Sequence, residues 1–489
     1  MSRSSAFLMV AVLASACSTA PPERKIIDDA AQALGGADRV RSAKTVAIQG
    51  TGTAPLVGQN RMPDDDLPIW KVSEYTRAID LANGRTRTTQ VREAQFQFAG
   101  DLIQRQTQGL DGDVAYNVGA DATMTRAGAA AVRDRRIELL HHPLTIVRAA
   151  MDPAAKVTNV RADGGDQLVD IVTAVGDMLT LAIDSGTHLP SRVMSMADNA
   201  NMGDVAIVTT FADYEDVGGI KLPRHLTTKM DKYLQFDLQV AKNAIDGDVP
   251  DLAAAESVKS APVPAAPAVV VTAEPVAKGI WWLAGSGNHR SVVFEFSDHL
   301  TLYEVPVNEA RSKAVIHKAR TLSTKPLTTA IVSHHHFDHS GGLRAAVAEG
   351  LTIVTHRANE AFFRDLLARK HTIVPDSLER SPRDAMFQFV DDSLTLKDAA
   401  MEVQLYHLID NAREGTNLFA YVPRERMLVQ ADLYDSTWLR HLWGENVLTN
   451  IERRGLKVDR DVPVHGAIEP FAQMVKTIKA KPGTVTSTQ

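Results

Sequence analysis

Thr329-Ala330-Ile331-Val332-Ser333 runs directly into His334-His335-His336-Phe337-Asp338-His339-Ser340-Gly341-Gly342. The first five residues read as a short apolar strand, and the polar run that follows leads towards a helix, the arrangement in which α/β folds place their ligands. Neutral imidazoles and carboxylates are the donors that zinc prefers. Residues two apart in an extended loop point the same way, so His334 and His336 can share one ion, while Asp338 and His339, where the chain turns, can face a second position. His335, between them, points away. So many imidazoles in six residues would be a costly choice for a hydrophobic core.

Working outward, strands are expected at Gly279-Ile-Trp-Trp-Leu283, Ser291-Val-Val-Phe-Glu-Phe296 and Leu300-Thr-Leu-Tyr-Glu-Val305, with a helical stretch over 309–322. Two further stretches end in metal-donor residues: Met427-Leu-Val-Gln-Ala-Asp432 and Asp461-Val-Pro-Val-His465-Gly466. The series His334-x-His336-x-Asp338-His339 with its Ser-Gly-Gly, followed in order by Asp432 and His465, is similar to the signature of the metallo-β-lactamase superfamily. The resemblance extends over roughly residues 275–480. It implies an α+β chain whose C-terminal part is an αββα sandwich. It also implies a centre of one or two zinc ions, with iron or manganese as alternatives, held by His334, His336, Asp338, His339, Asp432 and His465. Asp432 would bridge the ions, and Asp338 would be catalytic, orienting or deprotonating the water that attacks an ester, lactone, thioester or amide-type small-molecule substrate.

The chain departs from the family pattern in two places. A third histidine for the first ion is expected about twenty residues before the bridging aspartate, and Arg413 stands near that position. A guanidinium stays protonated and cannot be a ligand, although it can pair with Asp432 or clamp an anionic substrate group. His407, Asp410 and Asn411 are the alternatives for completing the first site through a shifted loop. Without one of them a single-metal centre is expected, and the alternative function is a catalytically degenerate binding or scaffold lipoprotein. The second departure is Glu304, where the family commonly has an aspartate that supports the metal loop. His356 and His371 are read as non-ligands.

The remaining sequence sets the context. At 489 residues the chain is too long for one ordinary core. With 44% hydrophobic and 23% charged residues it is globular in composition, and a net charge of −6 excludes a protein built around nucleic-acid binding. Residues 1–17 have the layout of a secretory signal: Arg3, an apolar run from Ala6 to Ala14, then small residues. Ala14-Ser15-Ala16-Cys17 resembles a bacterial lipobox, which implies a periplasmic protein anchored to the outer membrane through a lipidated Cys17 and touching the membrane only there. Cys17 is the sole cysteine, so no intramolecular disulfide is available.

Ile26, Ile27, Ala30, Ala31 and Leu34 recur at helical spacing up to Gly35-Gly36. From about Thr45 to Ile245 alternating segments separated by turn residues predict an antiparallel β domain over 23–250, interrupted by one helix from Arg135 to Met151. This layout resembles the curved-sheet fold of periplasmic lipoprotein carriers, which implies an apolar concavity and a lipid or acyl ligand. His141-His142 is assigned no role, since neighbours on a helix diverge by about 100°. The Ala- and Pro-rich run at 251–270, with Pro262, Pro264 and Pro267, reads as a semi-rigid linker to a second domain over 271–489.

Overall fold

The structure is a computed structural model that describes residues 21–96, 102–438 and 440–480. The signal and Cys17 lie outside the described residues. Among those described, no helix is long and apolar enough to cross a membrane.

The helix Pro22–Leu34 forms where the spacing predicts it, with Ile27, Ala30, Ala31 and Leu34 buried on one face and Gly35, at φ 137°, ending it. That face packs into a 13-stranded antiparallel sheet. The sheet is two meanders, one from Thr45–Pro55 out to Met124–Arg126 and one from Lys156–Asp163 back to Tyr233–Ile245. They join where Thr45–Pro55 pairs with Tyr233–Ile245. Alternate side chains of Ile69–Asp80 are buried, as a strand with one face on a core requires. On the same sheet Tyr75, Ile137, Met196, Leu226 and Phe236, with Arg77 and His141 among them, line a cavity of about 650 Å³. His141 is held there by Thr209 and Ser195, each at 2.9 Å.

Two expectations are corrected here. The helix expected over 135–151 is two helices, Ala129–Leu140 and Pro143–Ala150. Pro143 pushes the residue before it out of the helical region, and His142 accordingly sits at φ −143°, ψ 137°. The run 251–270, read as a semi-rigid linker, is packed over its first half. Leu252, Ala254 and Val258 are buried, Glu256–Ser260 is helical, and the Tyr116 hydroxyl donates to the Leu252 carbonyl at 2.8 Å. Its apolar residues had an uncovered sheet edge to pack on, a tertiary contact that composition does not record.

The C-terminal half holds a seven-stranded mixed sheet, Val271–Ala277 to Phe387–Val390, and a six-stranded one, Ser393–Lys397 to Glu469–Pro470. Both contribute to one core: Ile280, Phe294, Tyr303, Ile331 and Val354 from the first meet Val403, Leu405, Leu418, Val429 and Val462 from the second. The Tyr303 hydroxyl crosses between them to the Leu418 carbonyl at 2.7 Å. Helix residues Val315, Ile316, Ala346 and Phe363 pack with other residues of the first sheet, and Val447, Ile451, Met474 and Ile478 with the second. The halves of the chain are themselves joined, since Met202, Val205 and Met230 share a cluster with Phe363 and Leu366.

Phe294, fully buried between the two sheets, gives a test of that shared core. Phe294→Ala is expected to cost about 3–5 kcal/mol, read as a lowered denaturant midpoint in the transition that unfolds this half. An unchanged midpoint would place Phe294 outside the core.

Candidate metal centre

Strand Leu327–Ile331 ends at the histidine loop, and the loop is fixed from below by Glu304. This residue, buried and at φ 79°, accepts from the Ser333 amide through Oε1 at 2.9 Å and holds His339 Nδ1 through Oε2 at 2.9 Å. The longer side chain therefore supplies the loop support expected of an aspartate. His336 caps the short helix Phe337–Ser340, which carries Asp338 and His339, and the His339 ring lies 4.1 Å from that of His334.

The ligand atoms collect into two groups, each with its members within 4.8 Å of one another: His334, His336, Glu414 and Asp432, and Asp338, His339, Asp432 and His465. All six metal-donor residues expected from the sequence are in one or both. Asp432 is common to both and presents a different oxygen to each. Oδ2 lies 3.8 Å from His334 Nε2, whereas Oδ1 lies 3.0 Å from His339 Nε2 and 2.9 Å from His465 Nε2. Asp432 adopts φ 62°, which lets the carboxylate stand at the mouth of strand Met427–Gln430 between the groups.

The first group is completed by Glu414, which the sequence reading missed. Its Oε1 lies 2.8 Å from His336 Nδ1 and its Oε2 3.8 Å from His334 Nε2. Glu414 is the neighbour of Arg413 and follows the expected alternatives His407, Asp410 and Asn411 in the same loop, and its carboxylate serves as a donor as well as a histidine would. The Asn411 side chain accepts from the amides of both Arg413 and Glu414 at 2.8 Å, a turn that presents the two side chains together. The other proposed substitutes are engaged elsewhere. His407 stacks on His356 and bonds to the Gly415 carbonyl, and Asp410 pairs with Arg453 at the surface. Arg413 takes the first of its two expected options, with Nη2 3.5 Å from Asp432 Oδ2. His335, His356 and His371 belong to neither group.

Two further observations bear on whether a cation suits these donors. Each histidine engages its far nitrogen and turns the other inward: His334 Nδ1 to the Ser333 hydroxyl, His336 Nε2 to the Asn60 carbonyl, His339 Nδ1 to Glu304 and His465 Nδ1 to the Asn288 carbonyl. Acceptors on the far side leave a lone pair on the near side, the arrangement seen for metal-ligating imidazoles. Moreover, His334 Nε2 and both carboxylate oxygens of Glu414 are buried without a hydrogen-bond partner among the described residues. Unpaired buried polar atoms are expensive, and a shared cation would satisfy all three. The donors fit a metal.

His289, not anticipated, lies beside the second group, with Nε2 3.4 Å from Asp338 Oδ2 and its ring edge-on to His465 at 4.8 Å.

No model of a known protein family matches the chain, and no curated protein matches it in sequence. Solved structures similar to it include two metallo-beta-lactamases. That from Pontibacter korlensis is 14% identical, covering 43% of this chain and 100% of its own, at a TM-score of 0.33. That from Hirschia baltica is also 14% identical, covering 44% and 99%, at a TM-score of 0.33.

In the metal-free chain, burial disfavours the charged form of His339, but Asp432, Asp338 and Glu304 outweigh it and hold the pKa well above the usual value for histidine. Burial likewise opposes ionisation of Asp432, and His339 and His465 overcome it, keeping that pKa well below the carboxylate range. The extra proton that these carboxylates favour on His339 is one that a metal has to displace. Since a ligand must be deprotonated to bind, zinc affinity is expected to rise with pH across the range of about 6 to 8. Zinc titration against a chromophoric chelator at several pH values measures this, and an affinity flat over that range would contradict the assignment of His339 as a ligand.

Proposed function

We propose that this chain is an exported metal-dependent hydrolase whose C-terminal half is an αββα sandwich of the metallo-β-lactamase kind, acting on an ester, lactone, thioester or amide-type small molecule. The observation that carries this reading is the pair of donor groups sharing Asp432. Zinc is the metal we propose, because imidazole and carboxylate donors at tetrahedral count suit it, with iron and manganese as the alternatives. His334, His336, Glu414 and Asp432 would hold one ion and Asp338, His339, Asp432 and His465 the other. When bound, such ions would supply the Lewis-acid charge that makes hydroxide available near neutral pH and polarises a carbonyl.

The residues of the chain then have separable tasks. Asp338 is more open to solvent than its fellow donors, with Oδ2 3.3 Å from His339 Nε2, and is placed to take the proton of the attacking water. Arg413, largely buried and close to both Glu414 and Asp432, offsets the negative charge of the two carboxylates. Glu414, a donor beside His334 and His336, supports the hydrolase reading over that of a degenerate scaffold lacking the third histidine. The signal at 1–17 and lipidation of Cys17 would place the enzyme at the periplasmic face of the outer membrane. The cavity on the 13-stranded sheet would accept an apolar or acyl ligand.

Purified protein is expected to carry zinc, and thorough chelation to abolish hydrolysis of model esters and lactones. Asp338→Asn is expected to lower kcat by about 100-fold or more. Hydrolysis that survives chelation in full would overturn the proposal.

A further inference from the structure

The metal centre is not built by the C-terminal half alone. Between strands Thr45–Pro55 and Ile69–Asp80 of the 13-stranded sheet, the loop 56–68 reaches across to the donors. The Asn60 carbonyl accepts from His336 Nε2 at 2.8 Å across 276 residues of sequence. The Gln59 side-chain amide donates through Nε2 to Asp338 Oδ1 at 3.0 Å, while its Oε1 accepts from Arg413 Nη2 at 2.6 Å. The Arg61 carbonyl accepts from the Gly415 amide at 2.9 Å, next to Glu414. Each of the two donor-bearing loops is thus contacted by backbone and side chain of 59–61.

Steric fit supports the same picture. Gly58, at φ +75°, lies so close to Phe337 that a Cβ there would stand 2.4 Å from the ring, and a Cβ on Gly415 would stand 2.3 Å from Met62 Sδ. The loop is wedged between 333–342 and 410–417: the Phe337 ring leaves no room for an added carbon at Gly58, and at Gly415 the Met62 side chain would have to move aside. It is also shaped in advance: the Asn60 side chain donates to the carbonyls of Met62 and Asp65, and the Leu56 amide closes the neck onto the Pro68 carbonyl at 2.7 Å.

The chemistry of Gln59 suits its place. It stands between a carboxylate that needs a donor and a guanidinium that needs an acceptor, and a primary amide is the side chain that offers both at once. A carbonyl opposite His336 Nε2 fixes the proton on that nitrogen and leaves Nδ1, which faces Glu414 at 2.8 Å and Arg413 Nη2 at 3.4 Å, as the nitrogen that would ligate.

We propose that the loop 56–68 is a working part of the metal centre, with Gln59 the positioning residue for Asp338 and Arg413 and the Asn60 carbonyl the group that orients His336, so that the N-terminal sheet sets the metal affinity of the C-terminal half. This rests on the metal reading above. Binding of the cation and seating of the loop are then coupled, since each stabilises the geometry that the other needs.

The test uses the full chain, stripped of metal, with Gln59→Leu and Gly58→Ala made separately. Zinc affinity is read by chelator competition, and the cobalt-substituted protein is read by its visible spectrum, which reports ligand geometry and is not moved by stability alone. Both variants are expected to lose zinc affinity by about 10- to 100-fold, with an altered cobalt spectrum and an unchanged far-ultraviolet circular dichroism. Should Gly58→Ala fail to fold, Gln59→Leu, which adds no atom at the tight contact, decides alone. Wild-type affinity and spectrum in the variants would overturn this proposal and leave the hydrolase reading standing. A wild-type chain that takes up no zinc would overturn the metal reading and this proposal with it.

Discussion

Asp432 lies between two clusters of donors and presents one carboxylate oxygen to each. In the first, His334 Nε2 and both oxygens of Glu414 are buried without a hydrogen bond among the described residues; in the second, His339 and His465 turn their inward nitrogens onto Asp432. Without a cation, His339 keeps a proton by leaning on Asp432, Asp338 and Glu304, while Glu414, buried and beside Asp432, has its pKa held well above the usual range. Protonation of this kind lets a protein tolerate a crowded polar site until positive charge arrives from outside. The rest of the C-terminal half serves to bring the donors to this point from strand ends that are distant in sequence.

Much of this was legible in the sequence because ligand chemistry restricts residue types strongly. His334, His336, Asp338 and His339 lie in one short run, and Asp432 and His465 follow apolar stretches that read as strands. Glu414 was not legible because several polar residues of the same loop, His407, Asp410 and Asn411 among them, were equally plausible donors, and glutamates in loops are common enough to carry no signal of their own. The support by Glu304 needed a structure, since only the φ of 79° shows how the longer side chain reaches both Ser333 and His339.

The fold shows a similar division. Alternation of buried residues announced the strands of the N-terminal half, and the spacing of Ile27, Ala30, Ala31 and Leu34 announced its first helix. Pro143 was enough to split the helix expected over 135–151, and local sequence contained that warning. What local sequence could not contain was docking. The run 251–270 has the composition of a spacer, yet part of it packs, and nothing in Gly58, Gln59 and Asn60 marks them as neighbours of histidines 276 residues away. Contacts of that separation depend on how two halves meet, which neither half encodes in its own periodicity.

The central claim is that Asp432 joins two cation sites, the first completed by Glu414. Crystals grown with zinc and measured across the zinc absorption edge test it most directly. Two anomalous peaks are expected, one about 2.0–2.2 Å from His334 Nε2, His336 Nδ1, Glu414 and Asp432 Oδ2, the other at similar distances from Asp338, His339, Asp432 Oδ1 and His465. A map with no peak between these side chains, or with zinc bound away from Glu414 and Asp432, would contradict it.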